Sequence, residues 1–227
     1  MSLEELKREA AVKAVEFVHS GMVVGLGTGS TAVHATRAMG EMLANGRLHN
    51  IVAIPTSQTT ARQAQAVGIP LTTLNQNPHI DITIDGADEI DPHLNLIKGL
   101  GGALLREKIV AIASQRVIIV ADDRKHVSQL GSRAPVPVEV IRFAQQPVHR
   151  YLQSLGARVV LRQQNDEPFI TDENNIILDC YFGPIANPSQ LAADIRQQPG
   201  VVEHGLFLSL ATDAIIASAQ GIEILHK

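Results

Sequence analysis

The sequence contains one cysteine, no tryptophan, two tyrosines and five phenylalanines, and its formal net charge is −4. The single cysteine, Cys180, cannot form a disulfide within the chain, so a secreted disulfide-bonded fold is not expected. The few aromatic side chains leave little surface on which nucleic-acid bases could stack. A negative net charge also provides no basic field to attract a phosphate backbone. We therefore expect no nucleic-acid partner.

Long apolar runs and metal-binding motifs are also missing. No apolar run approaches the roughly 20 residues of a membrane-spanning helix. The charged segment Met1–Arg8 lacks the apolar core of a secretory signal. The nine histidines are scattered without the spacing of a metal site. We expect a cytoplasmic protein that makes no membrane contact and holds no metal.

The first part of the chain alternates between short apolar runs and helical patterns. Ser2 and Glu5 form a capping box that starts the first helix. Apolar strands are predicted at Met22–Leu26, Ile51–Ile54, Ile80–Ile84 and Val117–Ala121, with a weaker one at Leu71–Leu74. Continuous apolar strands between helices are typical of a parallel sheet covered on both faces. The chain is therefore predicted to be an α/β protein with a parallel-rich, Rossmann-like sheet flanked by helices.

The order of elements changes in the second half of the chain. Residues 133–207 alternate strand, helix, strand, strand, helix and strand, which is typical of a small ferredoxin-like α+β domain. The last apolar runs, Ala214–Ser218 and Ile222–Leu225, are predicted to return to the first sheet. We expect residues 1–132 and 208–227 to form the α/β catalytic domain, and residues 133–207 to form the smaller one.

A glycine-rich segment, Gly25–Thr31, joins the first strand to the next helix. Its glycines let backbone N–H groups approach an anion, and the helix N-terminus adds positive potential. No lysine precedes Ser30, so this is not a Walker A loop. A loose dinucleotide fingerprint fits Gly27–Ala32, but the next strand ends in Pro55–Ser57, without an acid for a ribose hydroxyl. A tight capped turn is one interpretation, and the other is phosphate binding by Thr28, Gly29, Ser30 and Thr31.

Acidic residues follow the central predicted strand. Asp85 and Asp88 come after it, at the strand end where open α/β sheets bind ligands. A second segment carries Lys98, a glycine-rich turn, and a helix, Ala103–Ser114, that contains Glu107. Three carboxylates and one ammonium group are the groups needed to move protons on a small polar substrate.

Other interpretations of the acidic segment are turn formation and calcium binding. Aspartates after a strand often form turns by bonding to nearby backbone. An EF-hand loop aligned from Asp81 has Pro92 at the position that requires a bidentate glutamate. A calcium site is therefore not predicted.

The helical glutamate and the loop lysines also have ordinary structural interpretations. A glutamate followed by lysine in a helix usually faces solvent, as Glu107 would. Its helical neighbours include Val110 and Ala111, however, and burial among such side chains raises a carboxyl pKa. Lys98 and Lys125 follow strands at the ligand end of the sheet, although loop lysines are mostly exposed.

These three motifs occur in the order of one known enzyme family. Asp85–Asp91, Lys98–Lys108 and Gly25–Thr31 resemble ribose-5-phosphate isomerase, type A, and the resemblance runs from the first helix to the C-terminus. One position departs from the family pattern, because Leu100 stands where the family usually has another glycine. A leucine there would be strained if the backbone required a positive φ.

The resemblance implies reversible conversion of ribose 5-phosphate to ribulose 5-phosphate through a cis-enediolate, without a cofactor or metal. It implies that Glu107 moves a proton between sugar carbons 1 and 2, and that Asp85 aids ring opening and proton transfer at the oxygens. Lys98 would stabilise the enediolate together with backbone N–H groups of Gly99–Gly101. Asp88 would hold sugar hydroxyls. The implied substrate-binding residues are Thr28, Gly29, Ser30, Thr31, Asp85, Gly86, Ala87, Asp88, Lys98, Gly99, Leu100, Gly101 and Lys125.

The resemblance also implies a homodimer whose small-molecule partner is a pentose phosphate. Two other functions fit a similar fold. A non-catalytic sugar-phosphate sensor would need a DNA-binding module, but only a short segment precedes the first strand. A CoA transferase would use Glu107 as a covalent nucleophile. The isomerase is our prediction, and the sensor and the transferase are the alternatives.

Overall fold

The computed structural model describes residues 2–227. The helices are α1 (Leu3–Val15), α2 (Ala32–Ala44), α3 (Gln58–Ala66), α4 (Leu104–Ile112), α5 (Gln145–Ser154) and α6 (Pro188–Gln197). The strands are β1 (Val23–Leu26), β2 (Val52–Pro55), β3 (Ile80–Gly86), β4 (Glu89–Ile90), β5 (Leu96–Ile97), β6 (Ser114–Asp122), β7 (Val136–Val140), β8 (Arg158–Leu161), β9 (Gln163–Gln164), β10 (Glu167–Pro168), β11 (Ile176–Tyr181), β12 (Val201–His204), β13 (Leu206–Phe207), β14 (Asp213–Ser218) and β15 (Gly221–His226). The predicted capping box of Ser2 and Glu5 does start α1.

The larger sheet has the strand order β15–β14–β6–β3–β1–β2. Its strands run parallel except for β15, which pairs antiparallel with β14. This confirms the predicted parallel-rich sheet and the return of the C-terminal strands to it. The chain goes from β1 to β2 on one side and then crosses to β3 on the other, so the loops after β1 and β3 diverge. Such a divergence opens a ligand crevice at the carboxyl ends of the strands.

Helices cover both faces of this sheet. On β6, Ile118 and Val120 pack in one cluster with α1 and α2, whereas Ile119 and Ala121 pack in another with Leu104 of α4. Alternate side chains of a strand point to opposite faces, so both sets are buried. Burial on two sides explains why the strand is apolar throughout its second half rather than alternating with polar residues.

The smaller sheet is antiparallel and has the order β12–β7–β11–β8. With the chain order β7–α5–β8–β11–α6–β12, this is the predicted ferredoxin-like arrangement. The helices pack on the sheet through Val148, Leu152 and Ile195, which are fully buried. A three-stranded sheet, β13–β5–β4, joins this part to the larger one. The predicted division at residues 133 and 207 stays a prediction.

Two short features differ from the predictions. Leu71–Leu74 was predicted as a strand, but Leu71 makes only an isolated bridge to Ala53. A turn follows at once, in which the Asn77 N–H donates to the Thr73 carbonyl over 2.9 Å. The strands β4, β5 and β13 were not predicted, because two residues are too few to show a periodic pattern.

Residues 2–227 contain neither a helix suited to crossing a membrane nor a cluster of metal ligands. The helices of this part are too short or too polar to cross a bilayer. Within the same residues, no three histidine, cysteine, aspartate or glutamate side chains come together as a candidate metal site.

Candidate active site

A polar cavity of about 160 Å³ lies at the carboxyl ends of β1, β3 and β6, where the loops after β1 and β3 diverge. It is lined by Lys7, Thr28, Gly29, Ser30, Thr31, Gly86, Ala87, Asp88, Lys98, Gly99, Gly101, Glu107, Asp122, Arg124 and Lys125. The structure thus brings most of the predicted site residues to one place. Two predicted residues do not line the cavity: the buried Asp85 carboxylate contacts Lys98 Nζ, and the Leu100 side chain is exposed.

The loop after β1 lies against the Asp85 carboxylate. A Cβ atom on Gly27 would stand 2.2 Å from Asp85 Oδ1, so only glycine fits at this position. The N–H groups of Thr28 and Gly86 donate to the same oxygen over 3.1 and 2.7 Å. These donors hold the carboxylate in one orientation. Gly29 has φ +120°, a left-handed conformation in which other residues are strained.

The hydroxyl groups of this loop differ in their surroundings. Thr28 Oγ1 lies 2.7 Å from Thr56 Oγ1, 2.9 Å from Ser57 Oγ and 3.0 Å from Thr60 Oγ1, so it is bound within a hydroxyl cluster. Thr31 precedes α2 but its side chain does not cap the helix. That hydroxyl and the exposed Ser30 are therefore better placed than Thr28 to donate to an anion in the cavity.

Lys98 connects two buried carboxylates. Its Nζ lies 3.1 Å from Asp85 Oδ2 and 3.2 Å from Glu107 Oε1, and it donates to the Gly86 carbonyl over 2.5 Å. The exposed fractions of Asp85, Lys98 and Glu107 are 2%, 3% and 3%. Lys98 follows β5, and its own N–H donates to the Gly205 carbonyl over 2.9 Å. The ammonium group is thus held by backbone on one side and by carboxylates on the other.

The surroundings of Glu107 leave its carboxylate ready to accept a proton. Burial raises the pKa of Glu107 to about 8, against the attraction of Lys98 and with added repulsion from Asp85 and Asp88. Glu107 Oε2 has no hydrogen-bond partner among the described residues, although it is buried. An unpartnered buried carboxylate oxygen beside a cavity is placed to act as a base on a bound molecule.

The other members of the cluster shift in the directions that their neighbours dictate. Burial raises the pKa of Asp85, although Lys98 and two backbone N–H groups oppose this. Burial alone would lower the pKa of Lys98, but attraction to Asp85 and Glu107 outweighs it and raises that pKa. Lys98 therefore stays an ammonium group, which can stabilise negative charge that develops beside it.

The glycine-rich loop before α4 accommodates Leu100 without strain. The left-handed positions of this loop are Gly99, with φ +101°, and Gly102, with φ +82°, whereas Leu100 lies outside that region. The Leu100 side chain is 42% exposed, and its N–H donates to Asp88 Oδ2 over 3.0 Å. The departure from the family pattern at this position therefore leaves the loop intact.

Three basic side chains besides Lys98 line the cavity. Lys125, which was predicted, lies half-buried in a short 3₁₀ turn after β6. Arg124 lies in the same turn and donates to Asp122 Oδ1 over 2.8 Å. Lys7 comes from α1, where it lies 2.8 Å from Glu4 Oε1. Three cations near one cavity suit a ligand that carries a dianionic group.

Sequence reasoning missed Lys7, Asp122 and Arg124. Asp122 could have been found, because it ends β6 just as Asp85 comes near the end of β3. Its Oδ2 is buried and has no partner among the described residues. Lys7 gave no signal, because only the packing of α1 brings it to the carboxyl end of the sheet.

Comparison with known proteins decides the family. The family model described as ribose 5-phosphate isomerase A (phosphoriboisomerase A) matches residues 52–221. The chain belongs to the ribose-5-phosphate isomerase A family. A relative of that name from Gloeobacter violaceus is 55% identical over 226 residues, which cover 99% of this chain and 97% of the relative.

Solved structures of ribose-5-phosphate isomerases agree with the architecture. One from Plasmodium falciparum has a TM-score of 0.96, 42% identity and 99% coverage of both chains. Another, described as a D-ribose-5-phosphate isomerase in complex with phospho-erythronic acid, has a TM-score of 0.98, 39% identity and full coverage of both chains. The predicted family, fold class and enzyme class, an aldose–ketose isomerase, are confirmed.

Proposed function

We propose that this isomerase interconverts ribose 5-phosphate and ribulose 5-phosphate through a cis-enediolate, with Glu107 as the general base. The observation that carries the proposal is the buried, unpartnered Glu107 Oε2 beside the cavity, with Lys98 Nζ 3.2 Å from the other carboxylate oxygen. One group can remove a proton from carbon, and the next can stabilise the charge that results.

The phosphate of the substrate would occupy the end of the cavity near Ser30 and Thr31. The hydroxyls, the N-terminus of α2 and the side chains of Lys7 and Lys125 there favour a dianion. The sugar would then extend towards Lys98. The solved relative's phospho-erythronic acid, which has a phosphate at one end and a carboxylate at the other, matches a cavity with cations at both ends.

In the reaction, Glu107 would take the proton from carbon 2 of the open aldose. The C–H electron pair forms a double bond between carbons 1 and 2, and the carbonyl electrons move to oxygen 1. Lys98 and the N–H groups of Gly99–Gly101 would stabilise that oxygen. Asp85 would serve ring opening and proton transfer between the oxygens, and Asp88 would bind sugar hydroxyls. Glu107 then returns its proton to carbon 1.

We also propose the assembly and location that the sequence suggested. We propose a homodimer, as the resemblance to the family implies. We propose a cytoplasmic enzyme that takes no nucleic-acid partner. Residues 1–132 and 208–227 would form the catalytic domain, and residues 133–207 the smaller one.

Isomerisation in D₂O tests the proposed mechanism. A base that exchanges its proton with solvent should place deuterium on carbon 1 of ribulose 5-phosphate, which NMR detects, whereas a hydride shift would not.

In Glu107→Gln the rate should fall by about 10² to 10⁴-fold, because a neutral amide cannot accept the carbon-bound proton. Glu107→Asp is the matched control, since it keeps the negative charge but moves the carboxylate away from the substrate by one methylene group. Turnover of Glu107→Gln at the parent rate would contradict the assignment.

A further inference from the structure

A guanidinium group from the residue between β8 and β9 reaches the glycine-rich loop of the active site. Arg162 Nη1 lies 2.8 Å from the Gly99 carbonyl oxygen and 3.0 Å from the Leu100 carbonyl oxygen. Arg162 Nε donates to Asp179 Oδ2 over 2.9 Å, and its Nη2 donates to the other oxygen of the same carboxylate. The side chains of Arg162 and Asp179 are only 12% and 14% exposed. Nη1 of Arg162 thus binds the loop, while Nε and Nη2 bind the Asp179 carboxylate and fix the guanidinium.

These contacts determine how two peptide groups of the loop are turned. In a planar trans peptide the N–H points opposite to the carbonyl. Holding the Gly99 and Leu100 carbonyls on the Arg162 side therefore directs the N–H groups of Leu100 and Gly101 to the other side. The Leu100 N–H does meet Asp88 Oδ2 there, over 3.0 Å. The Leu100 N–H therefore holds Asp88, and the Gly101 N–H is one of the loop donors proposed to stabilise the enediolate.

The anchor of the guanidinium is rigid. Asp179 lies in β11, where it is paired with Pro137 of β7 on one side and Val160 of β8 on the other. The Arg162 N–H donates to the Ile177 carbonyl of the same strand over 2.9 Å. The loop itself closes a turn, in which the Gly102 N–H donates to the Gly99 carbonyl over 3.0 Å. The orientation of the loop is therefore set, through Arg162, by Asp179 in a central strand of the smaller sheet.

We propose that Arg162 is a positioning residue, whose guanidinium sets the Leu100 N–H for Asp88 and the Gly101 N–H for the enediolate without touching the substrate. The inference rests on the proposed function, because the proposed mechanism is what assigns the loop N–H groups to stabilising the enediolate. Arg162 does not line the cavity, so it acts through the loop. Charge alone is insufficient for this role, since a lysine ammonium cannot bind the carboxylate with two nitrogens and still reach both carbonyls in one plane.

The test compares Arg162→Lys with Arg158→Lys. Arg158 starts β8, the strand that Arg162 directly follows, and its guanidinium stacks on the Tyr181 ring at 3.9 Å, away from the loop. With ribose 5-phosphate, Arg162→Lys should lower kcat by about 10 to 10²-fold, as expected for a misplacement of catalytic groups by less than about 1 Å. Its KM should change little, because the phosphate end of the cavity is untouched. Arg158→Lys should keep the parent kcat and KM.

Inhibition by phospho-erythronic acid separates positioning from a structural role. With its phosphate in the phosphate end of the cavity, its carboxylate would lie where the five-carbon substrate develops enediolate charge, so Arg162→Lys should raise its inhibition constant more than KM. Asp179→Asn should act in the same direction, because it frees the guanidinium. An Arg162→Lys enzyme with a lower Tm but the parent kcat, per folded molecule, would overturn the inference. So would an inhibition constant that rises only in proportion to KM.

The same assays keep this inference distinct from the proposed mechanism. If the parent and Arg158→Lys convert ribose 5-phosphate while Glu107→Gln does so equally well, the base assignment fails, whatever Arg162→Lys does. If Glu107→Gln is inactive and Arg162→Lys has the parent kcat, the mechanism stands and the role of Arg162 is wrong.

Discussion

At the scale of single residues, the chemistry depends on how a buried carboxylate is kept basic. Glu107 carries a pKa of about 8 because burial disfavours its ionised form, and the charge of Asp88 raises that pKa further. Lys98 opposes both effects, because its positive charge favours the ionised carboxylate and so lowers the pKa of Glu107. The value lies close to neutral pH, where a general base is most effective.

The activity should therefore depend on pH with a definite sign. A base works only when ionised, so kcat/KM should rise with pH and level off above about 8. In Asp88→Asn this rise should occur at lower pH, because a repelling charge has been removed. Asp123→Asn, which alters an exposed acid in the turn after β6, is the control and should leave the midpoint unchanged. An Asp88→Asn profile with the parent midpoint would show that Glu107 is not the titrating group.

Sequence reasoning reached some of these residues and missed others for a physical reason. Asp85, Lys98 and Glu107 were found through motifs, but the sequence left the burial of Glu107 open, since a glutamate before a lysine usually faces solvent whereas Val110 and Ala111 favour burial. Here Lys108 is buried as well, because β12 of the smaller sheet covers this face of α4. This burial depends on contacts between residues far apart in sequence, so a local sequence pattern could not predict it.

At the scale of elements, the loop after β1 relies on a backbone conformation that only glycine adopts easily. Gly29 has φ +120°, and a Cβ there would meet no atom within 4 Å. Substitution would therefore change the loop through backbone strain alone, at a cost of about 1–3 kcal/mol. The loop bears the hydroxyls proposed to bind phosphate, so its shape should matter more for binding than for folding.

Gly29→Ala and Gly221→Ala form a matched pair for this idea. Gly221 starts β15 with φ +124°, and its Cβ would likewise meet no atom within 4 Å. Both variants should lose similar stability in thermal unfolding, because both strain the backbone alike. Only Gly29→Ala should raise KM for ribose 5-phosphate, since only that glycine borders the cavity. Equal KM values would mean that this loop does not hold the phosphate.

At the scale of the whole molecule, the two sheets were predictable and their junction was not. Apolar runs between helices indicated the parallel sheet, and the change of element order from residue 133 indicated the ferredoxin-like part. The connection through β13–β5–β4 escaped prediction, because its two-residue strands carry no pattern. It is nevertheless the junction that brings Gly205 to within hydrogen-bonding distance of the Lys98 N–H.

A buried ammonium group also ties the two parts together. Lys108 Nζ, on α4, lies 2.7 Å from Glu203 Oε1 of β12 and donates to the His204 carbonyl over 2.6 Å. It also lies 4.8 Å from the centre of the Phe207 ring. Removing one member of a buried ion pair leaves the other charge without compensation. Because Lys108 follows Glu107 directly, its contacts with β12 also help to fix the position of the proposed base.

Lys108→Met should therefore destabilise the protein much more than the loss of a surface ion pair. We expect a loss of about 3 kcal/mol in denaturant unfolding, the lower end for buried pairs, because Arg196 still faces Glu203. Lys13→Met, which breaks the surface pair with Glu16, should cost less than about 1 kcal/mol. Adding Glu203→Gln to Lys108→Met should cost less than the sum of the single changes, because both remove one interaction. Equal losses for Lys108→Met and Lys13→Met would show that the junction is held by apolar packing instead.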